Sequence, residues 1–242
     1  MQQDTPRAME GEPLRRHMFA TYSSLRVGMM AIAALFPIIL YLAARLEGVH
    51  LQGSMSAYYW ASMTQDPPSR LWFVGGLFAI AACLYLYKGF SVRENVALNL
   101  AGLLAICVAY FPKEWNCKPD VPKLPPMDVT YCVDGWNPHG FCAVMLFVCL
   151  AYVTFFRSRD TLPELKDERL RSYYRNLYWI AAAVMLAAPL TAALLHVVFR
   201  KYDAYTYFIE LTGIWAFAFY WAVKTQEMRH SQAEEKVLMG RQ

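Results

Sequence analysis

Residues 177–199 read LYWIAAAVMLAAPLTAALLHVVF, 23 positions without a Lys, Arg, Asp or Glu. As an α-helix this stretch would be about 35 Å long, enough to cross the roughly 30 Å hydrocarbon core of a bilayer. Its apolar residues are continuous and do not alternate, which favours a helix over a barrel strand. It also lacks the polar face that a helix of a soluble bundle would show to water. Five further stretches share this character, at 27–44, 71–87, 96–111, 140–156 and 207–223, and most carry no charge. Backbone polar groups in lipid need partners inside their own segment. The expected fold is therefore all-α: a polytopic membrane protein of six transmembrane helices.

The composition of the 242-residue chain points the same way. It is 57% apolar and 17% charged, with a mean hydropathy of +0.22, where a soluble domain has about 45–50% and about 25%. Disorder and an ordinary soluble enzyme are both disfavoured. The 15% aromatic content, with 16 Tyr and 7 Trp, suits many helix ends at a membrane interface. Trp72, Tyr178, Trp179 and Trp221 are the expected anchors. A net charge of +4 is too mild to imply nucleic acid. Residues 1–26 are polar and basic, and the first apolar run is longer than a signal core and has no small-residue cleavage site, so it reads as a retained helix.

Orientation follows from the basic residues. Sixteen of the 23 Lys and Arg fall before the first span, in the second and fourth connections, and in the tail. The positive-inside rule then places both termini in the cytoplasm, with the first, third and fifth connections outside. The expected location is a bacterial inner (plasma) membrane, though the sequence does not name the envelope type. The expected organisation is a cytoplasmic segment at 1–26, one six-helix domain at 27–224 with its long outer loop at 112–138, and a cytoplasmic tail at 225–242. Cys117 and Cys132 share that loop with Pro119, Pro122, Pro125 and Pro126. In an oxidising compartment two such thiols favour a disulfide, with free thiols or a metal pair as the alternatives. Cys83, Cys107, Cys142 and Cys149 lie within spans and read as small packing residues.

Helix packing should use small residues: Gly75, Ala79 and Cys83 in the second span, Asn99 and Gly102 in the third, Ala181, Ala187 and Ala188 in the fifth. Pro37 and Pro189 should kink their helices and free a carbonyl one turn earlier.

Polar residues within membrane spans carry a functional reading, and here they gather by depth. Glu210 lies about one turn inside the outer end of the sixth span. His196 ends the fifth and His139 opens the fourth. Ser54, Ser56, Tyr58, Tyr59 and Arg70 come from the first outer connection, and Asp134 and Asn137 precede His139. Alternating helices can bring these together in a polar pocket at the outer leaflet, roofed by the Pro-rich loop. Three chemistries compete. Zinc could be held by His139, His196 and Glu210 or Asp134, although no HExxH or HxxxH pattern is present. Metal-free lipid chemistry could use His139 as base with Ser54 or Ser56 as nucleophile, although no GxSxG elbow is present. A headgroup site without chemistry could set Arg70 against a phosphate. Mutual structural pairing of these groups is the plain alternative to all three.

Certain short stretches carry a resemblance: GSMSAYY at 53–59, the Pro67-Pro68 pair before Arg70, ENVALNLAGL at 94–103, NPHGF at 137–141 and YFIELTGIWAFAFYWAVK at 207–224. In this order they resemble the DRAM/Sfk-type six-helix membrane proteins, a group that includes factors remodelling the lipid of GPI anchors and small bacterial relatives. The resemblance covers most of 27–224 and implies lipid work at the outer leaflet. It maps a Ser-bearing stretch to Ser54 and Ser56, a His before the fourth helix to His139, and a carboxylate to Glu210. A more distant similarity is to the ceramidase-like membrane hydrolases, but this chain lacks their HxxxH pair and has six spans where they have seven.

The sequence thus predicts a membrane-lipid partner, with His139, Ser56 and Glu210 as catalytic candidates and Ser54, Tyr58, Arg70, Asn137 and His196 as ligand-binding candidates. It assigns no metal ligand, names no cofactor, and leaves open a non-enzymatic scaffold, sensor or small-solute transporter. The oligomeric state is not specified.

Overall fold

The helices begin and end where the sequence supplies caps. Asn137 accepts from the His139 N–H at 2.9 Å, with Pro138 as the first helical residue. Ser91 accepts from the Glu94 N–H at 3.3 Å, while the Glu94 carboxylate reaches back to the Phe90 N–H at 2.8 Å. Both are side-chain answers to the orphan donors of a helix start. The structure, a computed structural model, describes residues 7–61, 68–117, 123–124, 126, 128–199 and 205–231. Side chains at 7–16, 193, 196–199 and 205 are not described.

Six long helices follow one another: α1 (Arg7–Leu46), α2 (Pro68–Leu86), α3 (Val92–Tyr110), α4 (Pro138–Tyr152), α5 (Glu168–Phe199) and α6 (Tyr205–Ser231). Each apolar stretch falls on one of them, with 71–87 and 96–111 ending one residue beyond the helix and 140–156 running past α4 to residue 156, and the fold is all-α. Among the described residues, four helical segments are long and apolar enough to cross a membrane: His17–Leu46, Pro68–Leu86, Val92–Tyr110 and Pro138–Glu164. The last extends α4 through a widened π-helical turn at Val153–Arg157 and a tight 3-10 turn at Ser158–Glu164. Thr154 and Ser158 sit at that change of pitch. Their hydroxyls bond the carbonyls four residues back, Leu150 and Thr154, competing with the regular ladder.

Each helix packs on the next in sequence, and α6 returns to pack on α1, which closes a ring of alternating helices. One end of the ring carries the connections around 47–67 and 111–137. The other carries 87–91 and 158–167. These are called the loop end and the far end below. The bundle does not stop at the expected domain boundaries: α1 is helical from Arg7, and α6 runs on to Ser231 with Thr225, Glu227, Met228 and Ser231 buried. Residues 1–6 and 232–242, which belong to the expected terminal segments, lie outside the described residues.

The packing residues match those read in the sequence only in part. Gly102 stands on the Ala81 carbonyl (3.0 Å from a built Cβ), and Ala188 meets Gly213 (3.3 Å), as small residues at helix contacts should. In α2 the expected stripe is split: Cys83 packs against the core, but Gly75 is exposed, with nothing within 4 Å of where a Cβ would stand, and the close approach is made by Gly76 on the Phe36 ring. The buried face of α2 is Phe73, Leu77, Ile80, Ala81 and Leu84. Tyr178 and Trp221 are fully buried core residues and not interface anchors, whereas Trp72 and Trp179 are half exposed as anchors should be. Around Pro37, α6 bonds directly to the α1 backbone: the Tyr207 hydroxyl donates to the Pro37 carbonyl (2.9 Å) and the Trp215 indole to the Ala34 carbonyl (3.2 Å). The carbonyl whose helical donor Pro37 lacks is that of Ala33, beside Ala34.

Candidate functional site

At the loop end, the GSMSAYY stretch forms a 3-10 turn, Met55–Tyr59, that plugs the mouth of the ring. Ser54, Met55, Ser56, Ala57 and Tyr58 are all buried. Small residues allow the tight fit, and the turn closes its own carbonyls: the Ala57 N–H bonds Ser54 O (3.2 Å), the Trp60 N–H bonds Ala57 O (3.0 Å). The Met55 N–H is left over and donates to Glu210 Oε2 of α6 at 2.6 Å. Glu210 is thus the anchor of the turn.

Lys113, just beyond α3, holds the turn from the other side. Its Nζ donates to Ser54 Oγ at 2.9 Å, and its carbonyl accepts from the Trp60 indole at 2.7 Å. Ser54 Oγ and Ser56 Oγ are 3.3 Å apart. The Lys113 charge faces both Glu210 and His139. Arg70, in the first turn of α2, donates through Nε to the Tyr59 carbonyl at 2.8 Å, and its guanidinium lies over the Tyr59 and Trp60 rings at 4.9 and 5.3 Å. Among the described residues its two terminal nitrogens bond no protein atom. Stacking and the Nε bond fix the plane of the fork, leaving its two-nitrogen edge for an oxyanion.

The long connection braces this mouth. Trp115 and Tyr131 exchange both backbone hydrogen bonds at 2.9 Å, and Cys117 and Cys132 beside them are joined, with Cα atoms 5.5 Å apart. Asn116, at φ +54°, takes the left-handed conformation that Asn tolerates better than most residues. Its amide gathers the carbonyls of Leu124, Pro126 and Val129 at 2.9–3.2 Å. Pro119, Pro122 and Pro125 of the expected roof lie outside the described residues.

The sequence-predicted residues separate into groups. Ser54, Ser56 and Glu210 meet at one turn. Arg70 joins them from its edge through Tyr59. Tyr58 is buried, its hydroxyl accepting from the Gln52 N–H (3.3 Å) and its ring 6.0 Å from Tyr207. Burial raises its phenol pKa above the ordinary range. Asn137 is occupied as the α4 cap. His139 is buried with Nδ1 2.7 Å from the Phe111 carbonyl, and the side chain that bonds Ser54 is Lys113. The His196 side chain lies outside the described residues. Among the described residues no three His, Cys, Asp or Glu side chains gather as a metal site would need.

A second polar centre, at the far end, has no counterpart in the sequence reading. Arg26, Glu94, Lys224 and Glu227 are each no more than 1% exposed. Lys224 and Glu227 form an ion pair at 3.0 Å. Thr161 Oγ1 donates to Glu227 Oε1 (2.7 Å), and Tyr178 donates to Oε2 (2.6 Å). Lys224 also reaches Thr161 Oγ1 (2.6 Å) and the Ser158 carbonyl (3.4 Å). The 3-10 turn after α4 is thereby tied to α5 and α6. From Glu210 to Glu227 is 17 residues along α6, so the two polar centres stand about 25 Å apart.

Some of this could have been read earlier. SVRE at 91–94 has the capping-box spacing, and Lys224 and Glu227 have helical ion-pair spacing at the end of an apolar run. Nothing in the sequence marked Lys113, a single lysine after a helix.

The fold and the two centres define a ring of six helices, four of them suited to a membrane, with buried charge at the far end and half-buried charge at the loop end. No family model, curated protein or solved structure matches the chain.

Proposed function

We propose that the protein spans a membrane six times with its termini in the cytoplasm and binds the headgroup region of an anionic lipid at its outer-facing loop end. The α5 and α6 helices, of 32 and 27 residues, are about 48 and 40 Å long and complete the ring with the four apolar ones. The disulfide fits the loop end facing an oxidising compartment. The resemblance of its short motifs, in their order, to those of the DRAM/Sfk-type proteins points to lipid as well.

One observation carries the reading. A stacked guanidinium with a free two-nitrogen edge and a lysine ammonium converge from α2 and from beyond α3 on one buried serine turn. Arg70 would take the phosphate, Lys113 and the serines the oxygens beneath it, and Glu210 holds the turn in place. A charge-assisted hydrogen bond contributes about 1.5–3 kcal/mol, so losing it weakens binding roughly 10- to 100-fold. The test is native mass spectrometry of the protein in nanodiscs of mixed phosphatidylglycerol and phosphatidylcholine. Retained phosphatidylglycerol should fall at least tenfold in Arg70→Ala and stay unchanged in Arg171→Ala at the far end. Equal retention in both variants refutes a headgroup site at Arg70.

A further inference from the structure

We propose that Ser54 and Lys113 form a nucleophile–base pair that opens the carboxylic ester of a lipid bound at the loop end. This rests on the headgroup reading above and adds a reaction to it. Nucleophile and base lie within proton-transfer reach: Lys113 Nζ, which donates to Ser54 Oγ when protonated, is 2.9 Å from it, and Ser56 Oγ is 3.3 Å from Ser54 Oγ. The two residues come from segments 59 positions apart. Both are held in place by one turn, Ser54 as part of its Glu210-anchored start and Lys113 through its carbonyl bond to Trp60 at its end. A nucleophile within hydrogen-bond reach of a base, with both positions fixed, is the arrangement covalent catalysis requires. The other local base, His139, is directed at the Phe111 carbonyl.

Depth selects the bond attacked. Met55 is bonded to Glu210, the sixth residue of α6, which places the turn about 7 Å inside the helix start. A headgroup layer is about 5–8 Å thick on each side, half the difference between the full bilayer and its hydrocarbon core. Ser54 therefore stands where headgroup gives way to acyl chains, the level of the ester bonds, while Arg70 at the start of α2 stands at the level of the phosphate.

The step balances without a further reagent. Lys113, in its unprotonated form, takes the Ser54 hydroxyl proton as Oγ bonds the ester carbonyl carbon. The tetrahedral adduct collapses, the bond from acyl carbon to alkoxy oxygen breaks, and Lys113 returns the proton to the departing alkoxide. The acyl group is then on Ser54. Water, or the hydroxyl of a second lipid, attacks that ester, gives its proton to Lys113 and leaves with the acyl group, and the proton returns to Ser54. Ser56 donates a hydrogen bond to Ser54 Oγ and keeps it oriented.

The experiment uses the full chain in phosphatidylglycerol nanodiscs, with a fluorophosphonate as serine probe and fatty-acid release as readout. Wild type should gain one adduct, mapped to Ser54 by peptide mass spectrometry, and Ser54→Ala should gain none. Lys113→Arg supplies a permanent cation to the headgroup and no usable base. It should retain phosphatidylglycerol within about threefold while labelling and fatty-acid release fall by more than about 100-fold, the low end of what a general base supplies. Wild type that binds phosphatidylglycerol without being labelled overturns the nucleophile and leaves the headgroup site standing. An adduct on Ser56 alone, or undiminished labelling in Lys113→Arg, overturns the assigned pair. Retention of phosphatidylglycerol in Arg70→Ala overturns the headgroup reading itself.

Discussion

Replacing Lys224 by methionine should destabilise the bundle more than any single change at the loop end. Methionine keeps most of the length and removes the charge. Glu227 then loses its only ion-pair partner among the described residues and keeps the Thr161 and Tyr178 donors alone. Glu94, which also faces Lys224, loses a neighbouring positive charge. Removing one partner of a buried pair typically costs about 3–5 kcal/mol, because the remaining charge is stranded away from water. For a domain of this size about 1 kcal/mol moves Tm by roughly 2–4 °C, so the expected drop is roughly 6–20 °C. Removing both charges, as Lys224→Met with Glu227→Leu, leaves no stranded partner on Glu227 and should recover at least half of that loss. Tryptophan fluorescence during heating in nanodiscs is a suitable assay, since buried Trp221 lies in the same part of α6. A single Lys224→Met variant that melts within 2 °C of wild type would refute the argument, and so would a double variant as unstable as the sum of the singles.

Three further outcomes follow from particular contacts. Gly102→Ala puts a methyl 3.0 Å from the Ala81 carbonyl, a backbone atom that cannot swing aside, so α2 and α3 should separate at a cost of about 1–3 kcal/mol, seen as a lower Tm. Gly89→Ala places its methyl on the Glu94 side chain and should cost a similar amount, with faster amide exchange at Phe90 once its carboxylate partner moves. Cys117→Ser opens a loop of 15-residue separation and should cost up to about 3 kcal/mol, with protease cutting concentrated between Trp115 and Tyr131.

How much of this was legible depended on the length scale of the signal. The six helices were readable because lipid-length apolar runs are rare by chance, and each run falls on a different helix, the fourth continuing into the π-helical turn that follows it. The closed ring was not, since nothing in a run of apolar residues says which face meets which neighbour. Gly75 shows the difficulty: a small residue packs a helix pair only if it faces a partner, and Gly76, one position later, is the one that does. Ser54, Ser56 and Glu210 could be grouped by depth alone, because alternating helices bring equal depths together. Lys113 could not, because its place depends on how the chain turns after α3. The far-end centre was missed for a third reason: Arg26, Glu94, Lys224 and Glu227 lie at the ends of apolar runs, where charges are ordinarily solvated and here are not.

The two centres differ in a way that bears on function. At the far end Glu227 is fully engaged: both oxygens accept bonds from Thr161 and Tyr178, and its Lys224 partner bonds inward as well. Glu227 and Lys224 therefore resist exchange with a ligand, because each bond to a newcomer would first break one already made, while in the same centre Glu94 Oε1 bonds no described atom. The pair fits a clasp that fixes the 3-10 turn after α4 to α5 and α6. At the loop end Glu210 is spent on a backbone N–H and Lys113 bonds Ser54, but the Arg70 terminal nitrogens bond no described protein atom. Donors left over beside a rigid turn are what a binding site presents before its ligand arrives. The rigid clasp lies about 25 Å from that turn along the same α6 helix. Loosening the clasp should therefore lower stability without changing which lipid is retained, whereas Arg70→Ala should change the lipid with little effect on Tm. Measured together in one nanodisc preparation, a Lys224→Met variant that alters lipid selection as strongly as Arg70→Ala would show that the ends do not act separately.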